Sequence, residues 1–148
     1  MNIKKRVDNN IPFSLHDSRI IKISVEAERL TLTLDKVYEY NGDNEKSYPA
    51  TMLFEGIDYE ECDVIVFDSE LGYGSFTGIR YRLREFVDKF PNGIFEIITE
   101  TYSGYDTVFR GYIYKNGCVY CSGIISIWTM GDVILSTNYA SNKKDDKI

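Results

Sequence analysis

The only histidine of the chain, His16, stands beside a carboxylate in Leu15-His16-Asp17-Ser18-Arg19. An adjacent Asp raises imidazole basicity, so His16 and Asp17 are the candidate acid–base pair or charge switch. The plainer reading is a turn before a strand, in which short polar side chains bind nearby backbone. A single histidine excludes any metal site built on two. The three cysteines add Cys118-Val119-Tyr120-Cys121, a C-x-x-C, and with Cys62 and His16 they would complete a Cys3His set. A zinc knuckle needs a turn at the C-x-x-C, whereas this one follows Asn116-Gly117 and enters a β-rich run. On a strand, residues three apart point to opposite faces. Buried structural thiols are the expectation, with no metal and no cofactor assigned.

Three further groups merit attention. Gly72-Tyr73-Gly74-Ser75-Phe76-Thr77-Gly78 lies between an apolar run and a helical pattern. A glycine-rich strand-to-helix loop can hold an anion on free N–H groups, here with Gly72, Gly74, Ser75 and Arg80 as candidates. Its spacing is one residue off the dinucleotide fingerprint, and a capped loop is the alternative. Asp58-Tyr59-Glu60-Glu61-Cys62-Asp63 carries four carboxylates in six residues, without the central Gly and terminal Glu of a calcium loop. It reads as a solvated acidic loop, or as a docking surface in which Glu60, Glu61 and Asp63 meet a basic partner. Finally, Tyr102, Tyr105, Tyr112, Tyr114, Tyr120 and Trp128 crowd the C-terminal part. Cross-strand packing accounts for such rings, and so does a binding face on which Tyr112, Tyr114 and Trp128 would be the anchors. No G-x-S-x-G elbow is present.

The elements that must position these residues follow from periodicity. Ile21, Ile23 and Val25, then Leu30, Leu32 and Leu34, alternate with polar residues across a short Ala27-Glu28 link, which predicts a hairpin. A strand is expected from Tyr48 to Phe54 with Pro49 near its start. Cys62 to Phe67 reads as a buried strand. Ile79, Leu83, Phe86, Val87 and Phe90 form the stripe of an amphipathic helix closed by Pro91-Asn92-Gly93. Four strands follow, Ile94–Tyr102, Thr107–Lys115, Cys118–Trp128 and Val133–Tyr139, read as a meander with an Asn116-Gly117 hairpin turn. The expected fold is α+β, mainly β: an antiparallel curved sheet or open barrel of about eight strands with one helix across it. Residues 11–140 form one domain, and residues 1–10 and 141–148 read as polar tails that fray.

Composition agrees. The 148 residues are 43% hydrophobic, 27% charged and 14% aromatic, with twelve Tyr and eight Phe, so strands are favoured. The net charge of −6 disfavours nucleic acid and anionic membranes and suits a basic protein partner. The basic N-terminal residues are followed by no apolar run, no stretch approaches about 18 apolar residues, and the cysteine number is odd. A reduced, cytoplasmic setting is expected.

Leu15-His16-Asp17-Ser18-Arg19-Ile20, running into an alternating hairpin, resembles the opening of small bacterial proteins, some of them similar to immunity proteins encoded beside polymorphic toxins. The resemblance spans about thirty residues; it implies a β-rich fold and supplies no catalytic residues to carry over. The sequence favours a non-enzymatic cytosolic protein-binding domain, with an immunity-type inhibitor as its sharper form. The alternative is a small-ligand-binding protein or enzyme whose pocket lies near His16 and Asp17.

Overall fold

A computed structural model describes residues 2–5, 12–68, 77–91 and 94–137. Its ten strands are β1 (Asn2–Lys5), β2 (Arg19–Val25), β3 (Arg29–Asn41), β4 (Asn44–Glu55), β5 (Asp63–Phe67), β6 (Gly78–Arg82), β7 (Ile94–Ser103), β8 (Asp106–Lys115), β9 (Cys118–Trp128) and β10 (Val133–Thr137). They form one antiparallel sheet in the order β1-β10-β4-β3-β2-β7-β8-β9-β5-β6. The sheet is not closed: β1 and β6 are its two edges. The one α-helix among the described residues, α1 (Leu83–Lys89), follows β6. Mainly-β character, an open antiparallel sheet and a single helix are all as the sequence implies.

Alternation places one face of each strand inward. Leu30, Leu32 and Leu34 of β3, Met52 and Phe54 of β4, Phe109 and Ile113 of β8, and Ile125 and Ile127 of β9 are all buried, and they belong to one continuous core. The sheet therefore folds over a shared interior rather than presenting two faces to solvent. Its fold line is the β2–β7 junction, where only Arg19 with Glu96 and Ile20 with Phe95 are paired. Beyond Ile20 the two strands part, and α1 lies opposite β2 across two open clefts, with Leu83 and Phe86 buried in the core.

Four details depart from the expectations. Helix α1 starts at Leu83, because Gly78–Arg82 pairs with β5 as an edge strand, so Ile79 lies on a strand and is 55% exposed. Ile21 is 49% exposed, because the β2–β3 register shifts between Ile20 and Lys22 and shifts the inward parity onto Ile20. The C-terminal meander has three strands: β10 pairs with β4 and β1 instead of β9. The 129–132 link carries it across, with Met130 N–H donating to Gly56 O at 3.0 Å and Gly131 N–H to Glu55 O at 3.1 Å. Residues 2–5, read as part of a fraying tail, pair with β10. The Asn116-Gly117 turn does form, with φ of 55° and 78° at its two central residues, the positive values a type I′ hairpin requires.

Candidate functional site: an acidic loop end

Strand direction puts the β2–β3 turn and the end of β4 at one end of the sheet, and the β7–β8 turn and the end of β9 at the other. The folding of the sheet brings these four connections together as one loop end. The β4–β5 connection carries the 3-10 turn Tyr59–Glu61, and β9 runs on into the β9–β10 link. Hydrogen bonds tie them into one surface. The Ile57 amide donates to Glu28 O at 3.3 Å, Asp58 N–H to Trp128 O at 3.2 Å, and Thr129 N–H to Tyr105 O at 3.0 Å. The Tyr59 hydroxyl bridges Glu26 O at 2.6 Å and Arg29 O at 2.8 Å, closing the β2–β3 turn onto the same end.

This end is acidic. Glu26, Glu28, Asp58, Glu60 and Glu61 are exposed on it, and Glu55, Asp106 and Asp132 are partly exposed, against Arg29, Arg82 and Arg84. Glu60 meets Arg82 at 2.9 Å, and Arg84 stacks over the Tyr59 ring at 4.8 Å. Asp63 is half-buried and bound by Arg80 at 2.7 Å. Of the three predicted acidic contacts, Glu60 and Asp63 are thus already committed to arginines, while Glu61 is exposed. Sequence reasoning missed Glu26 and Glu28, which become neighbours of the acidic run only once Ile57 and Tyr59 bind the β2–β3 turn.

The same end carries aromatic surface. Trp128 lies 5.3 Å from Tyr105, whose ring is 47% exposed. Beside them opens a cleft of about 220 Å³ lined by Tyr102, Tyr105, Thr107, Thr129 and Met130 among others. Tyr102 faces inward, with its hydroxyl buried and unpartnered among the described residues. Burial pushes its phenol well above the usual range, so it stays protonated.

The other predicted residues lie elsewhere. Tyr112 and Tyr114 are on the outer face of β8, away from this end. The Arg19 guanidinium stacks 4.8 Å from the Tyr114 ring, and Arg19 pairs with Glu96 at 3.2 Å. The six aromatics do not share one face: Tyr102 packs edge-on against Phe109 inside, and Tyr120 packs against Phe90.

His16 Nδ1 lies 3.1 Å from Asp17, and both side chains are more than half exposed. Asp17 adopts φ of 68°, the left-handed turn conformation that Asp tolerates. Neither residue lines any of the five clefts described. The turn is instead held from within: the Leu15 amide donates to Glu100 at 2.6 Å. Burial raises the Glu100 pKa, opposed by that hydrogen bond and by His16 nearby. A register shift between Ile97 and Thr99 turns Glu100 inward, a change of parity that leaves no mark in the sequence.

The cysteines do not assemble. Cys118 is exposed, whereas Cys121 is buried and its thiol is pushed up to about 11 by burial. Cys62 lies at the far end of β9, where it accepts the Trp128 amide at 3.2 Å, and burial likewise raises it to about 11. Seven residues of strand separate Trp128 from Cys121, a span of about 23 Å. Among the described residues no three metal-ligating side chains cluster. Gly72, Gly74 and Ser75 fall outside the described residues. The anion-loop reading also placed that segment at a helix N-terminus. It leads instead into β6, and Arg80 turns to Asp63.

No family model, curated protein or solved structure matches this chain. No helix among the described residues is long and apolar enough to cross a membrane.

Proposed function

We propose that the protein is a non-enzymatic protein-binding domain whose acidic loop end docks a basic partner. The observation that carries this is the hydrogen-bonded convergence of four connections, which holds Glu26, Glu28, Asp58 and Glu61 on one rigid surface beside Tyr105 and Trp128. A fixed array of like charges steers an oppositely charged protein and sets its register, and exposed Tyr and Trp are the residues that anchor interfaces. An immunity-type inhibitor, which covers a basic toxin without altering it, is the sharper form of this reading. It draws on the N-terminal resemblance and on the same surface.

Cross-linking in native-host lysate followed by mass spectrometry tests it. Acid-reactive cross-links to a basic protein are expected at Glu26, Glu28, Asp58 and Glu61. Cross-links concentrated on the Tyr112 and Tyr114 face, or on the β3–β4 hairpin, would contradict the assignment.

A further inference from the structure

The acidic end continues into a slot that no strand among the described residues occupies. Strand β2 pairs with β3 through Val25, but with β7 only through Ile20. From Lys22 onward its second edge faces α1. Two clefts run end to end along it and share Val87. One, of about 210 Å³, is lined by Ile20, Ile21, Ile23, Phe90 and others. The second, of about 390 Å³, is lined by Val25, Glu26, Ala27, Arg84, Val87 and Asp88. Together they follow β2 from Ile20 to Ala27, a path of about 23 Å, which suits an extended segment of roughly seven residues.

Antiparallel pairing fixes which backbone groups look into that slot. The Glu26 amide donates to Arg29 O at 2.9 Å, so Glu26 and Arg29 are a hydrogen-bonded pair. Hydrogen-bonded and non-bonded pairs alternate along an antiparallel ladder. Ser24 and Lys22 therefore bond to Thr31 and Thr33 of β3, whereas the N–H and C=O of Val25 and Ile23 point away from β3, into the slot. Among the described residues no strand pairs with them there. These are the groups that an added strand would satisfy, and unpaired backbone on an apolar edge is costly to leave bare.

We propose that this slot receives an extended segment of the basic partner, added as a further strand on the open edge of β2. The identification of the partner rests on the acidic-end reading above. Charge sets the occupant's chemistry: Glu26 and Asp88 line the end nearest the acidic surface, where Arg84 is already stacked on Tyr59, and Lys22 lines the other. The segment fitting this polarity carries a Lys or Arg at the Glu26 end, aliphatic residues facing Ile23 and Val87, and an acidic residue or none near Lys22. Main-chain hydrogen bonds would supply affinity and these side chains the choice of sequence.

Hydrogen exchange read residue by residue by NMR tests this in the full chain. In the free protein the Ile23 and Val25 amides should exchange at least about tenfold faster than those of Lys22 and Ser24. Millimolar capped peptide acetyl-Arg-Val-Thr-Val-Thr-Val-amide should slow Ile23 and Val25 about fivefold or more. The same peptide methylated on its amide nitrogens should not. Ile23→Pro removes a slot-facing donor while sparing the β3 bonds, and Val87→Lys fills the slot with charge; both should fold and lose the peptide's protection of the Val25 amide. Equal protection of all four amides in the free chain, or no slowing by the peptide, would overturn the proposal. Cross-links at the acidic end without partner protection of Ile23 and Val25 would overturn the strand addition alone. Peptide protection with cross-links elsewhere would overturn the acidic-end reading and leave the slot standing.

Discussion

The Cys62 sulfur accepts the Trp128 amide at 3.2 Å and lies 3.2 Å from Asp58 O, to which its thiol donates. One buried side chain thus joins the acidic connection after β4 to the end of β9, sixty-six residues away. A thiol does this only while protonated, and burial, opposed in part by the hydrogen bond to Trp128, keeps it so. Native-state alkylation at pH 8 should label Cys118 alone, because Cys62 and Cys121 are both buried and both raised to about 11. Mass spectrometry of the adducts checks this, and rapid labelling of Cys62 would mean that the acidic end is loosely held.

The inward carboxylate of Glu100 makes stability fall with rising pH. Its folded-state pKa lies above the ordinary 4.5, so the native chain holds this proton more tightly than the unfolded chain does. The associated stability is fully present below pH 4.5 and is lost as pH rises through the raised value. Glu100→Gln keeps an acceptor for the Leu15 amide and removes the charge. Urea melts from pH 4 to 7 should show the variant gaining on the wild type across that window. A constant difference between the two would count against the inward placement.

The β9–β10 link tolerates no side chain at Gly131. A Cβ there would lie 2.6 Å from Glu55 O, a backbone atom that cannot swing aside. Gly131→Ala should cost about 1–3 kcal/mol in denaturant unfolding, the range for overpacking a fitted site. Wild-type stability in the variant would argue against β10 crossing to β4 by this route.

Legibility tracked how local each feature was. The alternation of Leu30, Leu32 and Leu34 and the Asn116-Gly117 turn depend on neighbours in sequence, and both were readable. Helix α1 was readable as a stripe but not in its start, since Ile79 fits a helical period and is claimed instead by pairing with Val66. The placement of β10 rests on contacts between Gly131 and Glu55, far apart in the chain, so turn chemistry alone read it as a fourth meander strand. For the site, Glu60, Glu61 and Trp128 were named from composition and do share one end. Their neighbours Glu26 and Glu28 needed the Tyr59 hydroxyl to bring them in. Bulges at Ile21 and near Ile98 shift parity by one, which exposes Ile21 and turns Glu100 inward to a half-buried position.

The acidic end also predicts a salt dependence. Exposed charges are screened beyond about 8 Å at physiological ionic strength. Association with the partner should therefore weaken steeply between 50 and 300 mM salt, mainly through a slower on-rate, roughly tenfold or more. Surface plasmon resonance on the captured complex would read this, and a salt-independent on-rate would point to the Tyr112 and Tyr114 face.

The most direct test of the acidic end as the docking surface is partner capture with a charge-neutral variant, Glu26→Gln, Glu28→Gln and Glu61→Gln combined. These residues are exposed, so the fold should hold and the unfolding free energy should change by no more than about 0.5 kcal/mol for each substitution. An acidic docking surface requires that the variant lose the basic partner that the wild-type chain retains, while Tyr112→Ala and Tyr114→Ala retain it. Full capture by the charge-neutral variant would contradict that requirement.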